Sequence, residues 1–465
     1  MTDTRSTIFA LSSGHGRAGI AVIRVSGPNA GAVIDCMAAP RPKPRYAAVR
    51  KLRDPQSIDT EPGDLIDEAL VLFFAAPRTE TGEDMAEFHV HGGRAVIHAT
   101  LSALARLPGC RLAEPGEFAR RSFENGRIDL TAAEGLADLV DAETDAQRRQ
   151  ALRQAGGALA RIYEGWRRDL VATLALVEAS LDFSDEVDVS TQALQAAGKS
   201  ARRLLEAIEH HLADGRRGEI LRDGFQVVLA GPPNAGKSSL LNALARREAA
   251  IVSPQAGTTR DVIEVRLDLG GLPVIIADTA GLHDAPGSIE QEGIRRTRLR
   301  ASAADMVVWL VDGAPTAAGA GDLTPPDGLV SAGADLLLVT TKADLNADLR
   351  SELAAALPAP GVAVGSLSVS AVTGAGIDGL ADAIATRAAD RLGSVEDPAL
   401  TQTRHRVQLD ACRDALRRFI VGPDDQPELR AEDLRHAATA LGRVTGTVDI
   451  EDILDQVFGR FCIGK

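Results

Sequence analysis

The chain has 465 residues, 45% of them hydrophobic and 25% charged, with 65 acidic against 51 basic side chains and a formal net charge of −14. That balance fits a soluble globular protein of about three domains, and it excludes one that gathers nucleic acid by bulk positive charge. No apolar run approaches the ~20 residues that span a bilayer, no signal-peptide pattern opens the sequence, and Cys36, Cys110, Cys412 and Cys462 form no CxxC pair, so the expected compartment is the reducing cytoplasm.

Residues 1–118 read as a mixed α/β domain. Gly19–Ser26 and Leu70–Phe74 have the β-branched and aromatic content of strands, and Ala95–Leu107 has helical spacing stopped by Pro108-Gly109. Residues 119–217 read as long helices; within them Ala158–Leu181 repeats apolar residues at the spacing of a core-packing helix. Residues 218–384 alternate short apolar runs with helical stretches. Phe225–Ala230, Met306–Val311 and Leu336–Val339 suit a parallel sheet covered on both faces, and Val262–Asp278, with Gly270-Gly271 between two strand-like runs, predicts one antiparallel hairpin. Residues 385–465 return to helices. The predicted architecture is α/β plus α: an N-terminal α/β domain, then a helical domain interrupted by an inserted Ras-like P-loop G domain.

The chemistry concentrates in that insert. The Gly231-Pro232-Pro233-Asn234-Ala235-Gly236-Lys237-Ser238 run lies between a predicted strand and a predicted helix, the context a phosphate loop needs. Asn234 to Ser238, with Ser239, would wrap the phosphates; Lys237 would reach the β- and γ-phosphates and Ser238 would ligate Mg²⁺. The loop Ser253-Pro254-Gln255-Ala256-Gly257-Thr258-Thr259 supplies Thr259 as second Mg²⁺ ligand, in a segment ordered by the γ-phosphate. Asp278-Thr279-Ala280-Gly281 follows a strand-like run, and Asp278 would hold the metal through water. Thr341-Lys342-Ala343-Asp344 is the base-reading set: the Asp344 carboxylate can accept the two N–H donors of guanine's edge, while Lys342 would lie along the base. Ser370-Ala371 fits the last base-contacting loop. Of only six lysines in the chain, two lie in these motifs, where a compact ammonium is required. Leu282 stands where Ras-like enzymes carry a water-positioning glutamine. An amide oxygen at Asn234 could instead hold a monovalent cation near the β/γ oxygens. Glu290 is either the acid that orients the attacking water or an exposed acid at a helix start.

Three further signatures carry a specific resemblance: Gly16–Gly27; Thr81-Gly82-Glu83-Asp84 with His89-Val90-His91-Gly92-Gly93 and Pro115-Gly116-Glu117-Phe118; and the ending Phe461-Cys462-Ile463-Gly464-Lys465. Over essentially its whole length the chain resembles the bacterial tRNA-modification GTPases known as MnmE or TrmE. The resemblance implies a homodimer with a tetrahydrofolate-binding N-terminal domain. It implies a heterotetramer with a flavin-containing partner, MnmG or GidA, FAD being carried by the partner. Together they would add an aminomethyl-type group at C5 of the wobble uridine of certain tRNAs, with the carbon drawn from a 5-formyl- or methylene-tetrahydrofolate. Carried over residue by residue, it implies K⁺ at Asn234, Ser253, Gln255 and Thr258, a catalytic acid at Glu290, and folate contacts at Arg24, Glu87, Arg127 and Lys465. Cys462 becomes either a functional thiol or a small buried apolar residue; Arg24 keeps the plainer reading of a surface strand residue, and Glu87 that of a solvated acid. Two departures stand out. Thr341 replaces the family's asparagine, which predicts weaker nucleotide binding, and Ser253-Pro254-Gln255 replaces the common Thr-Asp-Ile. The alternative function is a GTP-regulated ribosome-assembly or RNA-binding switch without modification chemistry of its own.

Overall fold

Two six-stranded sheets carry the α/β character, each in its own structural unit. The computed structural model describes residues 6–14, 16–55, 63–182, 187–213, 216–247, 264–278, 300–313, 325, 326, 328–331, 333–345, 363–393, 399–423, 426–448, 451–459, 461, 463 and 464. One unit gathers Met1–Ala137, Gln154–Ala179 and Ala431–Lys465; the other gathers Asp138–Arg153 and Ser180–Arg430.

In the first unit, β1 (Thr7–Leu11), β2 (Ala18–Ser26), β3 (Ala48–Arg53), β4 (Leu65–Phe74), β5 (Met85–Gly92) and β6 (Cys110–Leu112) lie in the order β3-β4-β5-β2-β1-β6. All pairs are antiparallel except β1 with β6. Strand alternation sends Ile23, Val25, Val71, Phe73, Phe88 and Val90 to a buried face packed with Val33, Ile34 and Leu104 from helices Ala30–Met37 and Arg94–Ala105. The opposite face carries Val22, Arg24, Glu87 and His89, all partly exposed. The predicted strand at Leu70 begins five residues earlier, at Leu65, because Ile66 to Ala69 continue the pairing with β3 through Asp67 and Glu68.

Charge is buried beside this sheet. Glu117, 2% exposed, opens helix Glu117–Glu124 and receives Arg111 at 2.6 Å and Arg121 at 3.0 Å. Arg121, equally enclosed, also donates to the Ser6 carbonyl and to Glu83. Burial alone would raise the Glu117 carboxyl, but hydrogen bonds from Arg111, the Glu114 N–H and Arg121 outweigh it and hold the group below its ordinary value of 4.5. The helix must start where it does: Gly116 has φ +68°, and a Cβ there would sit 2.4 Å from the Phe458 carbonyl oxygen.

The helical part of this unit follows the predicted periodicity. Tyr163, Leu170 and Val177, spaced by seven, are buried along Ala158–Asp182. Leu434, Ala437, Leu441 and Val444 form the buried stripe of helix Pro427–Thr445. Arg435 pairs with Glu178 and Thr445 donates to Glu164, so these segments run antiparallel.

In the second unit, β7 (Phe225–Ala230), β8 (Glu264–Leu269), β9 (Leu272–Asp278), β10 (Met306–Asp312), β11 (Asp335–Thr341) and β12 (Ala363–Ser368) lie in the order β12-β11-β10-β7-β9-β8. Every pair is parallel except the predicted β8–β9 hairpin. Both faces are covered. Val227, Leu229, Val308, Leu310, Leu337 and Val339 pack with Leu240, Leu244, Leu380 and Ile384, while Val228, Ala230, Val307, Trp309, Leu336 and Leu338 pack with Ala301, Ala304 and Leu329. Two-sided burial is why these strands read as continuous apolar runs rather than alternating ones.

Glu117 makes the first unit acid-sensitive. A carboxyl held below its unfolded value contributes stability that is fully present above about pH 4.5 and is lost as pH falls through the lower, folded value. We expect Glu117→Gln to cost about 2 kcal/mol at pH 7 and to flatten the stability curve below pH ~4.5; chemical denaturation across pH 3–7 reads both.

Candidate functional site

The site grows from the end of β7. In the strand order β7 sits between β9 and β10, where chain connections diverge to the two sides and leave a crevice at the carboxyl ends of the strands. Gly231 turns the chain out of β7 with φ +153°; a Cβ there would meet the Leu310 carbonyl oxygen at 2.5 Å. Asn234 adopts φ +63°, a left-handed conformation that asparagine tolerates better than most residues, and Gly236 has φ +85°. Helix Lys237–Arg247 begins at once, held by buried Leu240, Leu241 and Leu244, so its unpaired N–H groups open on the loop.

Within the loop the Lys237 ammonium donates to the carbonyls of Gly231 and Pro232, both at 2.9 Å. Burial lowers its pKa, and the nearby Asp278 charge opposes that fall. Ser238 Oγ donates to Asp278 Oδ2 at 2.6 Å, and Asp278, the last residue of β9, is 1% exposed. The hydroxyl and carboxylate expected near Mg²⁺ are thus brought together, as hard oxygen donors of the type that cation selects.

The base-reading loop is equally ordered. Thr341 ends β11, and its hydroxyl lies 2.7 Å from the Ala235 carbonyl oxygen and 3.2 Å from that of Val311. The residue that departs from the family pattern therefore still ties the base loop to the phosphate loop. Lys342 has φ +52°, and its Nζ meets Asp312 Oδ2 at 2.6 Å. The exposed Asp344 accepts a 2.6 Å hydrogen bond from Ser370 Oγ, and its carboxylate has lone pairs to accept further N–H donors. Ser370 is buried, and Ala371 follows it at the half-buried start of the turn.

On the first unit's sheet, Arg24 and Glu87 are cross-strand partners. Arg24 bonds Glu87 at 3.2 Å and Glu80 at 2.8 Å, over the ring of buried Phe118. Arg127 is exposed and lies against Gly82. His89 and His91 are each taken up by a carboxylate, Glu87 and Asp67 respectively. The C-terminal segment docks beside this cluster: Ile463 bridges Pro115, and Ser12 Oγ donates to the Gly464 carbonyl at 2.8 Å. Gly464 has φ +100°, and a Cβ there would fall 2.2 Å from the Leu11 carbonyl oxygen. In the β1–β2 register Leu11 faces Ile23, next to Arg24. Sequence reasoning missed Ser12, and it missed Asp312; a strand ending in Asp-Gly was the available signal for the second.

Ser253 to Thr259, Thr279 to Gly281, Glu290, Cys462 and Lys465 lie outside the described residues. Among the described residues no cluster of metal-ligating side chains forms, and no helix is long and apolar enough to cross a membrane.

A phosphate loop at the switch point of this strand order, tied to an Asp344-bearing loop, defines a GTP-binding domain of Ras-like topology set within a larger chain. The MnmE helical domain family matches residues 130–462, and the GTP-binding protein TrmE N-terminus family matches residues 7–127. The chain is 53% identical over 469 residues to the tRNA modification GTPase MnmE of Methylobacterium sp. (strain 4-46), covering 100% of both. It is 52% identical to that of Parvibaculum lavamentivorans, covering 99% of this chain and 100% of the relative. The chain belongs to the MnmE family. The solved structure of Era with MgGDPNP and a 16S ribosomal RNA segment aligns with 44% of this chain and 69% of its own, at 19% identity and a TM-score of 0.30.

Thr341→Ala should weaken GDP binding about ten-fold, the worth of one buried hydrogen bond between the two loops, while apo stability falls by about 1 kcal/mol. Titration with a fluorescent GDP analogue measures the first and thermal unfolding the second. Gly464→Ala should release the C-terminal segment, read as faster hydrogen exchange at Leu11 to Ser13, because its Cβ has no room against the Leu11 carbonyl.

Proposed function

We propose that this chain, a GTPase of tRNA modification by family, acts with the flavin-dependent MnmG to add an aminomethyl-type group at C5 of the wobble uridine, with the carbon taken from a methylene-tetrahydrofolate. It works in the cytoplasm as a homodimer that joins MnmG in a heterotetramer. Residues 1–118 form the folate domain, 119–217 and 385–465 the helical domain, and 218–384 the G domain. The observation that carries the GTP half of this reading is one phosphate loop in which Ser238 bonds Asp278, Lys237 bonds the Gly231 and Pro232 carbonyls, and Ala235 accepts from Thr341. It sets the groups that meet phosphate, metal and base on one rigid sheet edge.

In this reading the loop N–H groups and Lys237 bind the β- and γ-phosphates, and Ser238, Thr259 and Asp278 hold Mg²⁺, which neutralises developing phosphate charge. Asn234, with Ser253, Gln255 and Thr258, holds K⁺, in the role that an arginine finger fills elsewhere. Glu290 orients the attacking water. Arg24, Glu87, Arg127 and Lys465 contact the folate, and Cys462 is a functional thiol beside it. What supports the folate assignment is the Arg24–Glu87–Glu80 cluster on a partly open sheet face, with the C-terminal segment docked at the end of β1, the strand next to that of Arg24.

Two measurements test the proposal. GTP hydrolysis should be at least about ten-fold faster in K⁺ than in Na⁺, with ATP inert, since one well-placed charge at the phosphates is worth that much or more; equal turnover in both salts removes the K⁺ assignment. Mass spectrometry of tRNA from a strain lacking the chain should show an unmodified wobble uridine, and a normal nucleoside there would sink the tRNA reading in favour of a ribosome-linked switch.

A further inference from the structure

Asp312 is the last residue of β10, and the reading above leaves it without a role. Its carboxylate lies 2.6 Å from Lys342 Nζ, with the aspartate side chain 25% and the lysine 36% exposed. The pair is therefore partly shielded, where a charge-assisted bond holds better than at an open surface. The next residue grips the same loop through the main chain: Gly313 N–H donates to the Thr341 carbonyl at 3.0 Å, and a Cβ at Gly313 would sit 2.3 Å from that oxygen. Strand pairing supports both contacts, since Asp312 is the register partner of Thr341.

This grip falls on the one residue of the loop that carries a flexible charged stem. Lys342 has four side-chain torsions and a backbone in the left-handed region, at φ +52°. Left free, its ammonium would sample many positions, and ordering it on nucleotide binding would oppose affinity. Pinned at Nζ, the methylene stem is already laid out as a flat apolar surface. The need is greater here than in a site with asparagine at position 341. The Thr341 hydroxyl has a single proton, and it faces the carbonyls of Ala235 and Val311, so it has no second donor to offer a base.

We propose that Asp312 is a positioning residue for the guanine base, acting through Lys342: it fixes the lysine stem against the face of the ring, while Asp344 reads the ring's edge. The proposal rests on the GTP-binding reading of the site, and it separates two kinds of recognition. Face contact is blind to the exocyclic groups of the base. Edge contact is not: hypoxanthine lacks the 2-amino group that Asp344 would accept from.

The test measures GDP and IDP affinity, and GTP KM and kcat, for the full-length wild type, Asp312→Asn, Asp312→Glu and Lys342→Met. Asp312→Asn should weaken GDP and IDP alike by about ten-fold and raise KM by the same factor, the scale of a lost charge-assisted contact. It should leave kcat within about two-fold and keep the GDP-to-IDP ratio, because the chemistry and edge reading are elsewhere. Asp312→Glu, which keeps the charge, should recover most of the affinity. In the Lys342→Met background, Asp312→Asn should cost little more, since the pair acts as one unit. Unchanged GDP binding in Asp312→Asn, a fall in kcat at constant KM, or an undiminished second loss in the Lys342→Met background would each overturn the assignment alone. Failure of the wild type to bind GDP overturns the GTP reading and this inference with it.

Discussion

A hydroxyl at the end of β11 joins two loops that must act as one. Thr341 reaches the Ala235 carbonyl past β10, so the loop that follows β7 and the loop that follows β11 share a hydrogen bond. That contact is possible only because both loops leave the same edge of a parallel sheet. The sheet in turn is held by side chains on both faces, which leaves its strands no freedom to slide. Lys237, folded back on the Gly231 and Pro232 carbonyls, and Ser238, bonded to Asp278, extend the same ordering to the phosphate end. Ordinary hydrogen bonds among the site's own parts thus fix the two loops against each other.

The first unit is organised by a different constraint. Its sheet has one packed face and one partly open face, and the open side carries charge: Arg24 between Glu87 and Glu80, with Arg121 and Glu117 buried just beyond. Enclosed guanidinium–carboxylate pairs are costly to desolvate and are tolerated only when nearly every donor is met. Here Glu117, Glu83 and the Ser6 carbonyl accept from Arg111 and Arg121. Such a network fixes how helix Glu117–Glu124 sits against the neighbouring segments at Ser6 and Glu83.

Much of this was legible in the amino-acid order, for identifiable reasons. The strand Phe225–Ala230 and the hairpin around Gly270-Gly271 have the expected spans because local signals, continuous burial and paired glycines, coincide with the tertiary demand. Helix Ala158–Asp182 was equally plain, since its apolar stripe repeats without interruption. The first sheet was only half visible. β5 runs through Glu87, His89 and His91, polar residues whose presence in a strand is explained by the partly open face and by partners on β2 and β4 that lie far away in sequence. The threonine at 341 predicts weaker nucleotide binding from its chemical type; its geometry shows that a shorter donor can still brace the phosphate loop. Likewise no sequence rule pairs Ser12 with Gly464 or Asp312 with Lys342, because those contacts depend on strand register rather than on motif spacing.

The interleaving of the two units has a consequence for the order in which the chain matures. The segment Gln154–Ala179 finds its helical partner only after Ala431, and the 251 residues between them, 180 to 430, belong largely to the other unit. At a synthesis rate of ~5–20 residues per second, helix Ala158–Asp182 waits about 10–50 seconds for the helix whose Arg435 and Thr445 meet Glu178 and Glu164. During that interval an apolar helix face stands uncovered while the G domain, whose sheet is built from contiguous sequence, can close. The nascent chain therefore carries a finished nucleotide-binding unit while its other unit is still incomplete, and it is at this stage that a holding chaperone would have something to hold.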